Sequence, residues 1–172
     1  LHAITHSDKA LEQQQRKIAA LREKATKRAK KIHALREKAA KSMSKSIEQS
    51  LTQLGMPEAR FVVEVADAGE LLASGSDRIR FMFSANARMA PQPVEKIASG
   101  GEISRVMLSL KALLAEKSKL PTIIFDEIDT GVSGSIAEKM ALIMQEMGQA
   151  NRQVISITHL PQIAAKGSTH YK

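Results

Sequence analysis

Apolar residues recur seven apart along the first quarter of the chain: Ile4, Leu11, Ile18, Ala25, Ile32 and Ala39. Leu21 and Leu35 fill the matching second row of a heptad, but Gln14, Arg28 and Ser42 interrupt it. From about Asp8 to Leu54 there is no Pro or Gly, and strong helix formers dominate. The pattern predicts one long helix with a weak heptad. Its seam slips by four residues near 39–43, continuing as Met43, Ile47, Leu51 and Leu54. So narrow a stripe cannot hold a lone helix in water. It calls for a partner helix, expected as an antiparallel arm from an upstream part of a longer protein.

After the helix-ending Gly55-Met56-Pro57 the period changes to two. Arg60–Asp67 reads as a strand. Arg78–Ser84 reads as a second, with Ile79, Phe81 and Phe83 on one face and Arg78, Arg80 and Met82 on the other. Gly69 and Ser74-Gly75-Ser76-Asp77 predict a hairpin-like connection between them. Residues 85–94, with Asn86, Pro91 and Pro93, read as a loop, in which Ala87-Arg88-Met89-Ala90 has no assigned role. Helical spacing then returns with Ile103, Val106, Met107, Leu110, Leu113 and Leu114. Pro121 leads into the apolar run Thr122–Phe125, which reads as a buried parallel strand. A helix from about Ser135 carries Ile136, Met140, Ile143, Met144 and Met147 on its core face. Gln153–Thr158 is another buried strand, and Pro161 opens a short helix. Alternating strands and helices of this kind give an α/β fold class behind a long helical arm.

Composition sharpens this in four ways. Aromatics make up only 3% of the 172 residues, so the core is aliphatic. There is no Cys, which excludes disulfides and Cys-based zinc sites and mildly favours a reducing compartment. No apolar run approaches the ~18 residues of a membrane span, and the polar, charged first residues are not expected to act as a signal peptide. The net charge of +8 is localised: residues 1–49 carry 13 Lys/Arg against 5 Asp/Glu, and residues 50–172 carry 13 of each. Arg16, Lys17, Lys24, Lys27, Arg28, Lys30 and Lys31 cluster within five turns. The cluster has two readings, a solvated coiled-coil surface or a phosphate-contacting surface that gives salt-dependent DNA affinity. Without aromatics for stacking, DNA contact there would be to backbone and not to sequence. His2, His6 and His33 have no metal-ligand partners at helical spacing and read as surface residues.

Three short stretches carry candidate chemistry. Ser99-Gly100-Gly101-Glu102 fits a capping box. Two adjacent glycines also let backbone approach an anion at a helix N-terminus, with the Ser hydroxyl as a further donor. Asp126 and Glu127 end the first apolar strand, where ligands sit in open α/β sheets. Because side chains alternate along a strand, one carboxylate can help hold Mg2+ while the other orients or deprotonates a water. His159 lies just past the second strand, placed to face the same ligand. The plain alternatives are a cap, a pair of strand-end acids and a structural histidine.

Taken together these stretches resemble ABC-type ATPases. Ser99–Glu102 looks like their signature motif, Ile123-Ile124-Phe125-Asp126-Glu127 like Walker B, Asp129 like the D-loop aspartate, and His159 like the switch histidine. The coiled arm resembles the SMC branch. The strings from Lys96 to Lys111, Phe125 to Gly134 and Ile157 to Ala165 are similar to the RecN family of bacterial DNA repair proteins, over roughly residues 94–171. The resemblance implies an arm over 1–55 and, over 56–172, the C-terminal lobe of an ATPase head, a mixed sheet flanked by helices. It implies ATP and Mg2+ as cofactors, Asp126 on the metal, Glu127 polarising water and His159 sensing the γ-phosphate. Ser99, Gly100 and Gly101, with Glu102 and Asp129 beside them, would serve the nucleotide of another subunit, so that ATP joins two heads in a homodimer. DNA is the implied macromolecular partner, in double-strand break repair in the bacterial cytoplasm at the nucleoid. No Gly-x-x-x-x-Gly-Lys-Ser/Thr phosphate cradle occurs in these residues. In this family the cradle belongs to an N-terminal lobe with the other arm, so this stretch alone is expected to be inactive. The alternative is a structural SMC-like scaffold, a dimerisation module whose main activity is DNA binding or bridging.

Overall fold

The computed structural model describes residues 2–97, 99–118, 120–149 and 152–171, with side chains from residue 9 onward. Helix α1 spans His2–Gln53 without a break. Strands β1 (Arg60–Leu72) and β2 (Gly75–Ser84) follow, then a two-residue strand β3 (Gln92–Pro93) and a 3-10 turn at Val94–Lys96. Helix α2 (Gly100–Lys117) leads to β4 (Thr122–Asp126), α3 (Gly134–Gln149), β5 (Gln153–Ile157) and the short α4 (Pro161–Ala164). No described helix is long and apolar enough to cross a membrane.

The strands form two sheets. One has the order β1-β2-β3, with β3 antiparallel to β2 in the register Met82↔Pro93 and Phe83↔Gln92. The other pairs β4 and β5 in parallel, from Thr122↔Gln153 to Asp126↔Ile157. Helix α3 makes the crossover between them, as a parallel pair requires. The hairpin predicted between Asp67 and Arg78 is longer than its sequence pattern. Its strands run on to a two-residue turn at Ala73-Ser74, through residues such as Gly69-Glu70-Leu71-Leu72 that do not alternate with a period of two.

The chain divides into two compact units, Leu1–Lys41 with Glu64–Arg80, and Ser42–Val63 with Phe81–Lys172. In the first, the heptad seam is uncovered: Leu11, Ile18, Leu21 and Leu35 are all more than half exposed. Helix and hairpin are joined there by charge. The Asp77 carboxylate is buried and accepts hydrogen bonds from both Arg36 (Nη1 to Oδ2, 2.9 Å) and His33 (Nδ1 to Oδ1, 2.7 Å). Arg36 also donates to the Ser74 carbonyl at 2.8 Å. His33 lies at the surface, as read, with its side chain 40% exposed, but its ring is engaged by Asp77; the His2 and His6 side chains lie outside the described residues. The Arg36 hydrogen bond, with His33 adding to it, holds Asp77 below the usual 3.8 although burial opposes it. The Asp77 bond raises His33 above 6.5, again against burial, with the charges of Glu37 and Asp67 adding.

The slip in the heptad falls where the helix changes unit. Past Lys41 the apolar row Ile47, Leu51 and Leu54 is fully buried. Ile47 and Leu51 pack with Met56, Phe61, Phe83 and Val106. Leu54 joins a second cluster with Leu108, Phe125, Met140 and Ile163. Helix α2 contributes to both clusters through Val106 and Leu108. This explains a difference from the pattern, since Leu108 is buried while Met107 and Leu114 are exposed. A helix between two cores has no single apolar stripe.

The β4–β5 pair also differs from expectation. A continuous apolar run marks a strand covered on both faces, yet only Ile123 and Phe125 of β4 are buried. Ile124, Ile155 and Ile157 are 55%, 41% and 53% exposed.

Candidate functional site

The carboxyl ends of β4 and β5 lie side by side because Asp126 registers with Ile157. The Glu127 N–H donates to the Ile157 carbonyl at 3.0 Å, which extends the ladder one residue past the strand. Glu127 has φ 45°, and among the described residues it is the one non-glycine with positive φ. For a residue with a Cβ that conformation costs about 1–3 kcal/mol and persists only where its surroundings impose it. Here the next turn does so: the Glu127 carbonyl accepts from the Thr130 N–H (3.2 Å) and from Thr130 Oγ1 (2.9 Å). The strained backbone leaves the Asp126 and Glu127 side chains exposed at the strand end. Sequence carries no sign of this strain.

Asp129 faces the other way, with its side chain only 1% exposed. The Thr158 hydroxyl donates to its Oδ2 and accepts from the Leu160 N–H at 3.0 Å. The other oxygen, Oδ1, is buried without a hydrogen-bond partner and lies 3.7 Å from His159 Nδ1. The His159 ring is 67% exposed. The loop after β4 and the residues after β5 are thus tied together through a buried carboxylate. Thr158, directly before His159, was the available sequence signal for this link.

The signature-like stretch packs on the same loop. Ser99 caps α2, its Oγ accepting from the Glu102 N–H at 3.4 Å. A Cβ on Gly101 would lie 2.5 Å from the Gly131 carbonyl oxygen, so only glycine allows this backbone-to-backbone contact. Ser104 Oγ donates to the Thr130 carbonyl at 3.3 Å. Arg105, which spacing did not single out, braces the first turn by donating to the Gly101 carbonyl (2.8 Å) and to that of Leu54 (3.4 Å). Ser99 and Glu102 line an open cleft of about 400 Å³ with Phe83, Met89, Pro93 and Lys96, which places Met89 of the unassigned loop beside them. Under β4, Lys111 donates to the Ile124 carbonyl at 3.1 Å and lies 4.9 Å from the Phe125 ring centroid.

Among the described residues no three His, Asp or Glu side chains converge as a metal cage. The strand-end Asp126 suits Mg2+, which is commonly held by one or two carboxylates together with phosphate oxygens and waters. The seven clustered basic residues of α1, Arg16 to Lys31, are all exposed. At 100° per residue they cover roughly 160° of arc, opposite the side carrying Ala29, His33, Arg36 and Ala40. Arg16 alone of the seven has an ion-pair partner among the described residues, Glu12 at 3.7 Å.

No protein-family model matches the chain. Curated relatives do. It is 45% identical to the DNA repair protein RecN of Rickettsia felis over 130 residues, 76% of this chain and 24% of that protein. It is 40% identical to the DNA repair protein RecN of Haemophilus influenzae over 126 residues, 73% of this chain and 22% of that one. The chain therefore spans about a quarter of the length of these relatives. Among solved structures it is similar to an Smc head domain with a coiled coil and joint from Pyrococcus yayanosii, with TM-score 0.62 and 19% identity over 78% of this chain and 24% of that one. It is also similar to a chain from a study of ATP-driven dimerization and DNA stimulated activation of SMC ATPases, with TM-score 0.57 and 16% identity over 79% of this chain and 78% of that one. At those identities the likeness establishes the fold, that of an SMC-type head lobe with a coiled-coil helix.

Proposed function

As a chain belonging to the RecN family, this one is, we propose, the C-terminal lobe and returning arm of an SMC-like ATPase that binds DNA and acts in double-strand break repair, in the bacterial cytoplasm at the nucleoid. The observation that carries this reading is the convergence at the ends of β4 and β5. Exposed Asp126 and Glu127 sit beside Ile157, and His159 adjoins the carboxylate of the loop that follows them. In this reading Asp126 helps hold Mg2+, directly or through water. Glu127 orients and polarises the attacking water, which its exposed side chain at an imposed backbone kink suits. His159 faces the γ-phosphate. Bound MgATP supplies the transferable phosphoryl group and the charge neutralisation.

Ser99, Gly100 and Gly101 present a capped helix N-terminus to an anion, with Glu102 on the same turn and Asp129 in the loop beneath. We assign Ser99, Gly100 and Gly101 to the nucleotide held by a second head, so that ATP clamps a homodimer and hydrolysis releases it; Asp129, with its side chain 1% exposed, supports the loop from within. The phosphate cradle and the second arm come from an N-terminal lobe. Two bare surfaces support this: the heptad seam of α1 and the Ile124–Ile155–Ile157 face of the β4–β5 pair. The stretch alone is then inactive.

The test is Glu127→Gln in the full-length protein. Hydrolysis falls at least about 100-fold while ATP binding persists. An unchanged rate removes Glu127 from the role given to it.

The basic face of α1 favours a second, scaffold-like reading, in which DNA binding or bridging is the main activity and the heads only dimerise. Arg16, Lys17, Lys24, Lys27, Arg28, Lys30 and Lys31 then contact phosphates. DNA affinity that falls steeply with salt supports that contact, and a flat titration removes it. Bridging that persists in Glu127→Gln without ATP favours the scaffold over the ATPase.

A further inference from the structure

The geometry points to Asp129 as the positioning residue of His159; this inference rests on the ATPase reading of the site. A buried carboxylate normally has both oxygens matched. Asp129 has one. Oδ2 takes the Thr158 hydroxyl, and Oδ1 is buried, unpartnered and aimed at His159 Nδ1 across 3.7 Å. That distance is roughly half an ångström or more beyond a hydrogen bond. A small rotation of the exposed ring closes it. A carboxylate only accepts, so the nitrogen turned to it must carry a proton. Asp129 thereby fixes Nδ1 as the inward donor and Nε2 as the nitrogen offered to the nucleotide. Thr158 fixes Asp129 in turn, because its hydroxyl is committed at both ends, to Asp129 and to the Leu160 N–H.

The carboxylate is also held from the side of α2. Its loop is seated against Gly101 at Gly131, and the Thr130 carbonyl accepts from Ser104. The orientation of His159 therefore depends on how the N-terminus of α2 sits on residues 130–131. A group that meets Ser99–Gly101 and a group that meets His159 share this loop as their connection.

A double-mutant cycle in the full-length protein tests this, with Asp129→Asn, His159→Ala and the two combined. Asn keeps the shape and can still accept from Thr158, but it can present an amide N–H where His159 needs an acceptor. Asp129→Asn is expected to lower kcat about 10- to 100-fold with KM within about twofold. In the His159→Ala background the same change is expected to do nothing more. Independent, multiplying effects overturn the proposal, because they mean that Asp129 acts by itself.

Ring 15N shifts of histidine-labelled protein give a readout apart from activity, with His159 assigned by its loss in His159→Ala. The wild type should show Nδ1 protonated, and Asp129→Asn a mixture of tautomers. Identical spectra overturn the proposal. A held Nδ1–H in a protein that hydrolyses no ATP overturns the ATPase reading and leaves the positioning role standing.

Discussion

Among the described residues two aspartates are almost wholly buried, and they are buried differently. Asp77 has a donor on each oxygen, the Arg36 guanidinium on one and the His33 ring on the other, and it ties helix to hairpin. Asp129 has a neutral hydroxyl on one oxygen and, on the other, an exposed imidazole that stops short of bonding. Burying a carboxylate is costly unless its lone pairs are matched. A fully matched group gains nothing by moving and serves as a fixed joint. A half-matched one has an interaction still to make and is suited to respond when a ligand orders its neighbour. Their partners separate the joint from the responsive site.

The largest effect expected from breaking this contrast comes from the seat of the Asp129 loop. Gly101→Ala forces a Cβ to 2.5 Å from a backbone oxygen that cannot swing aside, and it should cost about 1–3 kcal/mol in denaturant unfolding. Gly100→Ala is the matched control. Its Cβ meets the nearest atom at an ordinary 3.7 Å, so stability should change by less than about 1 kcal/mol. Equal costs for the two would mean that the Gly101–Gly131 contact is not a constraint.

A smaller effect, read by pH, sharpens the other half. His33 is raised above 6.5, so its bond to Asp77 stabilises below pH 6.5 and is lost as pH climbs through the raised value. Asp77 is held below 3.8, so its contribution is present above pH 3.8 and is lost as pH falls through the lowered value. The joint is therefore tightest from pH 3.8 to 6.5. Above that it loosens in part, because Arg36 stays bonded. Amide exchange in residues 28–41 and 64–80, corrected for intrinsic rates, should quicken modestly above pH 6.5. His33→Ala should abolish that dependence without touching exchange in α3. A pH-independent joint in the wild type would remove His33 from it.

Much of this was legible in the sequence, for identifiable reasons. The long helix, the slip at 39–43 and the β-α-β unit with carboxylates at a strand end all follow from local periodicity, and periodicity survives whatever packs on it. The errors arose where tertiary packing decided. Leu108 is buried because α2 lies between two cores, and no one-stripe pattern contains that. Ile124, Ile155 and Ile157 read as buried because such strands are ordinarily covered on both faces, and here one face is bare. His33 is at the surface as read, but its bond to Asp77 has no local sign because the partner is 44 positions away. The left-handed Glu127 and the unmatched Asp129 oxygen have no sequence signature, since strain and missing partners belong to the three-dimensional arrangement.

The central claim is that these residues supply part of an ATPase site and need a lobe carrying the phosphate cradle. ATP hydrolysis measured for this chain alone, for such a lobe alone and for the two together tests it most directly. The expected result is turnover in the mixture only, abolished by Glu127→Gln in this chain. Hydrolysis by this chain alone at the rate of the mixture would contradict the claim.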